Sequence, residues 1–149
     1  MLLGASVLSS ASSLVEDGVK VDRVDHFVLT VRDVEVTCDF YSRVLGMEVE
    51  EFEGGRRALK FGRQKINLHQ SGAEFEPKAG KPTSGSGDFC LITNVPLERA
   101  MEHIRSCGVE IIEGPVSRTG ATGRLESVYF RDPDGNLVEV SNCLGSVGE

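Results

Sequence analysis

Three histidines, His26, His69 and His103, are the first residues of this 149-residue chain that suggest chemistry near neutral pH. Imidazole exchanges protons in that range and is a common metal ligand. His103 stands between Glu102 and Arg105 in a run with helical spacing, which reads as a surface position. The other two lie in runs that alternate like strands, "DHFVLTV" and "KINLHQ". Two carboxylates occupy similar settings. Asp88 opens "DFCLITNV", and Glu139 sits between Val138 and Val140 in "NLVEV". Imidazole and carboxylate fixed on a sheet, with positions left for water, suit a divalent ion of the Zn, Ni, Mn or Fe(II) type. Read one by one, the same residues also fit exposed charges and a strand-edge histidine. Whether they meet depends on the elements that carry them.

Those elements follow from periodicity. Residues 25–31 read as a strand. Val36, Phe40 and Val44, with Tyr41 and Leu45, have helical spacing, and Gly46 is placed to stop the helix. "MEVEEFE", "RRALKFG" and "KINLHQ" read as three strands, with Gly54, Gly55 and Gly62 at the turns. Residues 71–87 are rich in Gly, Pro, Ser and Lys and read as a linker. The second half starts with a strand at "DFCLITNV". Leu97, Ala100, Met101, Ile104 and Cys107 then repeat at helical spacing, between Pro96 and Gly108. "GPVSRTGATG" reads as a loop before the strands "LESVYF" and "NLVEV".

The two halves match. Leu45–Val49 aligns with Cys107–Ile111, and 108 minus 46 gives an offset of 62, which also carries Phe27 to Phe89 and His26 to Asp88. Further on, Phe61 aligns with Phe130, and Asn67 with Glu139. Duplication of a βαβββ unit follows. Strand alternation puts Phe27, Leu29 and Val31 under the helix and His26 on the opposite, open face. It likewise sends Val138 and Val140 to the helix side and Glu139 to the open face. The predicted cleft carries His26, Asp88, Glu139 and either Asn67 or His69.

Composition narrows the partners. A formal charge of −7, a sequence pI of about 5.0 and the lack of a basic run argue against nucleic acid. No apolar stretch approaches the roughly 18 residues needed for a bilayer span. Residues 1–20 read as a disordered extension, and the first 18 lack the Lys and Arg of a targeting signal. A cytoplasmic location is expected, with a mitochondrial one left open. Cys38, Cys90, Cys107 and Cys143 have irregular spacing and read as free, mostly buried thiols.

"DHFVLTVRD", "FYSRVLGMEV", "FGRQKINLHQ" and "VYFRDPDGNLVEVSN" together resemble the vicinal oxygen chelate superfamily. That group includes glyoxalase I, fosfomycin-resistance proteins and extradiol dioxygenases. The likeness covers residues 21–143. It implies an α+β domain: two βαβββ modules (21–71 and 88–143, joined by linker 72–87, with a tail at 144–149) forming an eight-stranded U-shaped mixed sheet around a metal cleft. It also implies a divalent metal held by His26, Asp88, Glu139 and either His69 or Asn67, with Glu139 as ligand or base. Tyr129 stands where the fosfomycin-resistance branch contacts substrate. Ser127 shares its strand face, and Arg118, with Arg56, Arg57 and Arg124, is a loop arginine able to hold a carboxylate. The implied activity is that of a lyase, isomerase or transferase on a small substrate with adjacent oxygens, in a homodimer. An Fe(II) dioxygenase and a non-catalytic sequestration protein are the alternatives.

Overall fold

A computed structural model describes residues 18–145. The expected extension at 1–20 therefore falls almost wholly outside the described residues, as do the last four residues of the tail. The chain runs β1 (His26–Val31), α1 (Val34–Leu45), β2 (Glu48–Phe52), β3 (Arg56–Phe61) and β4 (Gln64–Gln70). It continues with β5 (Asp88–Ile92), α2 (Leu97–Ser106), β6 (Glu113–Thr119), β7 (Arg124–Arg131) and β8 (Leu137–Gly145). This is βαβββ twice. The strands form two four-stranded mixed sheets, ordered β1-β4-β3-β2 and β5-β8-β7-β6, with the first and last strand of each module paired in parallel.

Helix α1 begins where the Asp33 side chain accepts from the Val36 backbone N–H, and it ends at Gly46, whose φ of 66° closes the last turn. Its inward stripe is Thr37, Cys38, Phe40, Tyr41 and Val44. Val36, expected inward, is half-exposed. A stripe centred on residues 37, 40, 41 and 44 leaves position 36 at its edge. Helix α2 buries Leu97, Met101 and Ile104.

Both sheets present their helix-side faces to one core. Leu29, Val31, Leu59, Ile66 and Leu68 from the first join Val128, Phe130, Val138 and Val140 from the second, with both helices between them. At about 25 cal/mol per Å² of apolar surface removed from water, this shared burial is the main force joining the modules. The opposite faces of the sheets therefore look away from the core.

A polar lock fastens the modules at the "DPDGN" turn. The buried Tyr41 hydroxyl of α1 donates to Asp132 Oδ2 at 2.7 Å, and Asn136 Nδ2 donates to the same oxygen at 2.8 Å. Asp132 Oδ1 accepts from the Asp134 and Asn136 backbone N–H groups, both at 2.9 Å. Asp134, whose side chain is 2% exposed, accepts from the Arg32 backbone N–H at 2.8 Å and from Arg32 Nε at 3.2 Å. Burial, reinforced by these two carboxylates, raises the Tyr41 pKa far above that of a free phenol, so the hydroxyl stays a donor. The linker ends against the same turn. Gly85 has a φ of 80°, and a Cβ there would lie 2.5 Å from the Asp134 carbonyl oxygen.

Three local expectations need correction. The stretch read as a loop at 114–123 contains most of β6, an edge strand with a register shift between Glu113 and Val116, where Pro115 is tolerated. The expected match of Phe61 with Phe130 is also displaced. Phe130 pairs with Val138 as Leu59 pairs with Ile66, because the β7–β8 turn is longer than the Gly62-Arg63 turn. Of the four free cysteines only Cys38 is buried, while Cys107 is intermediate and Cys90 and Cys143 are exposed. No described helix is long and apolar enough to cross a membrane.

Candidate active site

Strand register fixes which side chains share each open face. In module one His26 pairs with Lys65, Val28 with Asn67 and Thr30 with His69. In module two Asp88 pairs with Leu137, Cys90 with Glu139 and Ile92 with Ser141. Position 67 is therefore the counterpart of 139, position 69 of 141, and position 26 of 88. The equivalence drawn from the sequence between Asn67 and Glu139 is also the equivalence of the strands.

On the module-one face His26 is exposed, and its Nδ1 lies 2.8 Å from Asp25 Oδ2. With the Nδ1 proton donated to that carboxylate, Nε2 carries the free lone pair. The same hydrogen bond, foremost, lowers the Asp25 pKa. Asn67 lies deeper. Its Oδ1 is buried and has no hydrogen-bond partner. His69 is buried, with its ring edge-on to Phe75 of the linker at 5.7 Å between centroids, and the Arg56 guanidinium stacks on Phe75 at 4.5 Å. Burial, with Arg56 beside it, pushes the His69 pKa down.

The module-two face holds a denser polar network. Ser127 and Ser141 are fully buried. Ser127 Oγ donates to Glu139 Oε2 at 2.7 Å and lies 2.6 Å from Ser141 Oγ. Ser141 Oγ lies 3.3 Å from the same carboxylate oxygen and 3.3 Å from Cys90 Sγ. Tyr129 pairs with Glu139 across β7 and β8. Its hydroxyl accepts from Arg118 Nε at 2.9 Å, and Arg118 is held in turn by Glu113 at 3.2 Å. Burial raises the Tyr129 pKa and Glu139 adds to the effect, while Arg118 opposes it.

The structure thus brings Glu139, Tyr129, Ser127 and Arg118 together on one face, and His26, Asn67 and His69 on the other. Asp88 is exposed at the start of β5. Among the described residues, no three His, Cys, Asp or Glu side chains of one chain gather as a metal-ligand group. The donor chemistry nevertheless fits a borderline divalent ion: an imidazole with a free nitrogen, a carboxylate, and an amide oxygen buried without a partner. The arginines expected in loops all sit on strands, Arg56 and Arg57 on β3, Arg118 on β6 and Arg124 on β7. His103 packs the helices together, its Nε2 lying 3.0 Å from the Arg43 carbonyl oxygen. Alternation along β8 places Ser141 on the face of Glu139, but Cys90 was missed as a neighbour, because its place beside Glu139 depends on the parallel register of β5 and β8. A groove of about 430 Å³ lies elsewhere, on the helix side between Val44, Phe61, Leu91 and His103. Its lining is mainly apolar, unlike the polar open faces of the two sheets.

Residues 23–140 match the model of the Glyoxalase/Bleomycin resistance protein/Dioxygenase superfamily. The chain is 55% identical over 124 residues to virulence protein STM3117 of Salmonella typhimurium, covering 83% of this chain and 86% of that one. It is 30% identical over 147 residues to lactoylglutathione lyase of Pseudomonas aeruginosa, covering 78% and 80%. Among solved structures, an integron cassette protein of V. cholerae superposes with a TM-score of 0.82 at 57% identity, covering 83% of this chain and 97% of that one. Two βαβββ modules, their parallel outer pairs and these matches lead to one conclusion: the chain belongs to the glyoxalase, bleomycin resistance and dioxygenase superfamily.

Proposed function

We propose that the protein is a glyoxalase-like, metal-dependent lyase, isomerase or transferase for a small substrate with adjacent oxygens, working as a homodimer. The observation that carries the reading is Asn67 Oδ1, a buried acceptor with no donor, on the same face as the free His26 nitrogen. A buried polar oxygen left alone costs roughly 1–3 kcal/mol, and a cation removes that cost. His26 and Asn67 would hold the ion from module one, and Glu139, with Asp88 beside it, from module two. His69 replaces Asn67 in a variant of the same set. When bound, a divalent ion supplies Lewis acidity toward adjacent substrate oxygens.

The chain's own groups do the rest. Asp25 orients His26, and Tyr129, with its hydroxyl oxygen already accepting from Arg118, keeps its own proton to donate toward a substrate oxygen. Arg118 adds positive charge beside it. The similarity to a lactoylglutathione lyase supports a substrate of the hemithioacetal kind.

The dimer belongs to the same proposal. Both sheets face the shared core, so the open faces of one chain look outward and a second copy is needed to bring a module-one face over a module-two face.

The test is elemental analysis and turnover of a hemithioacetal, before and after chelation. We expect bound metal, loss of turnover on its removal, and a dimer by light scattering. Mixing His26→Ala and Glu139→Ala subunits should restore part of the activity, since one of the two sites then regains both ligands. Turnover that survives complete metal removal overturns the proposal. Oxygen uptake with catechols, or tight binding without turnover, would favour the dioxygenase or sequestration alternative.

A further inference from the structure

The polar network beneath Glu139 has a direction. Ser127 gives its proton to Glu139 Oε2 at 2.7 Å, Ser141 gives its own to the same oxygen at 3.3 Å, the two hydroxyl oxygens lie 2.6 Å apart, and Cys90 Sγ lies 3.3 Å from Ser141 Oγ. The two hydroxyls converge on a single carboxylate oxygen. Both hydroxyls are fully buried, so water does not compete for them. Glu139 Oε1 takes part in none of these bonds.

We propose that Ser127 and Ser141 are positioning residues that pin Glu139 through Oε2, so that the carboxylate presents Oε1 alone as a one-oxygen ligand. This rests on the metal reading above and deepens it. Ser127 acts through Glu139, not by touching substrate, as its complete burial requires. The arrangement also sets ion preference. Ca²⁺ takes many oxygens and often both from one carboxylate, whereas Zn²⁺, Ni²⁺ and Mn²⁺ need fewer, well-aimed donors. A carboxylate held at one oxygen favours the second group.

The test is calorimetric titration of the metal-free, full-length protein with Mn²⁺, Ni²⁺, Zn²⁺ and Ca²⁺, with urea unfolding measured alongside. Ser127→Ala and Ser141→Ala remove one oxygen each, and Ser127→Cys keeps the volume with a weaker donor. Loss of the outer partners of a ligand typically lowers metal affinity about 10- to 100-fold. We expect losses of that size for Mn²⁺, Ni²⁺ and Zn²⁺ in the order Ala greater than Cys, with Ca²⁺ affinity unchanged or raised. A merely structural role would lower all four alike and in step with stability, and that result overturns the assignment. Wild-type protein that binds the ions while the double alanine variant binds equally well also overturns the serine assignment, leaving the metal reading intact. Wild-type protein that binds none of the ions overturns the metal reading itself, and this inference with it.

Discussion

The two modules place different chemistry at the same points of the same scaffold. Asn67 and Glu139 are counterparts, as are His69 and Ser141, and the β3 and β7 positions beside the latter pair are Arg56 and Ser127. In module one the outer pair, Arg56 and His69, packs against Phe75, leaving Asn67 Oδ1 without a partner. In module two the outer pair is two small hydroxyls aimed at the carboxylate. The helix-side faces, by contrast, are apolar in both: Ile66 and Leu68 answer to Val138 and Val140, all buried. Duplication has kept the face that folds the protein and let the open face diverge. The turns differ in the same way. Gly62-Arg63 joins β3 to β4 by the shortest route, while "DPDGN" is long enough to reach across and hold α1 of the other module.

The turn comparison gives the largest expected effect. Asp132→Ala would leave the buried Tyr41 hydroxyl and the Asn136 amide without their acceptor. Two stranded buried donors, with a lost charge-assisted bond, cost roughly 3 kcal/mol. Arg63→Ala in the corresponding turn is a surface change, expected within about 0.5 kcal/mol. Urea unfolding of the two variants checks the contrast; equal midpoints would mean that the lock is decorative.

The open faces give the next. Glu139→Asn makes position 139 resemble its module-one counterpart. Without the carboxylate, affinity for Zn²⁺ or Mn²⁺ should fall about a hundredfold, or about 2.7 kcal/mol. Asn67→Glu makes the reverse change. Its carboxylate lacks the two hydroxyls that hold Glu139, so it should raise affinity by less than Glu139→Asn lowers it. Calorimetric titration of both variants measures this, and equal and opposite changes would show that the faces are interchangeable.

Much of this contrast was legible in the sequence, for reasons that particular residues make clear. Period-2 alternation put Val138 and Val140 inside and Glu139 outside, and both valines are buried as it required. Gly46 stopped α1 because a left-handed closing residue is cheapest as glycine. Strand β6 was hidden because Pro115 and the glycines around it are turn residues by type, and only pairing with β7 makes an edge strand of them. The Phe61–Phe130 match failed because a longer turn changes hairpin register without disturbing either strand's own pattern. Alternation could say which face His26 and Glu139 occupy within their sheets. It could not say that both sheets turn the other face to one core, since that is a matter of packing between modules. The serine network and the tie between Tyr41 and Asp132 join residues separated in sequence, so no local pattern announces them.

The smallest expected effect separates His69 from its counterpart Ser141. In the unfolded chain His69 takes up its proton near pH 6.5, and in the folded chain burial and Arg56 move that uptake lower. Between those two values the unfolded state binds more protons, so the contribution is complete above pH 6.5, is lost as the pH falls toward the folded value, and then levels off. Lys78 adds to the shift and Glu74 opposes it. His69→Phe keeps an aromatic edge against Phe75 and removes the titration. Its urea stability should therefore fall less than that of the wild type on the acid side of pH 6.5, by a margin smaller than the effect of Asp132→Ala. Ser141→Ala, which removes no titrating group from the matching position, should leave the wild-type slope in place. Parallel stability curves for wild type and His69→Phe would mean that the buried imbalance in module one has no energetic consequence, and the two faces would then differ only in what they bind.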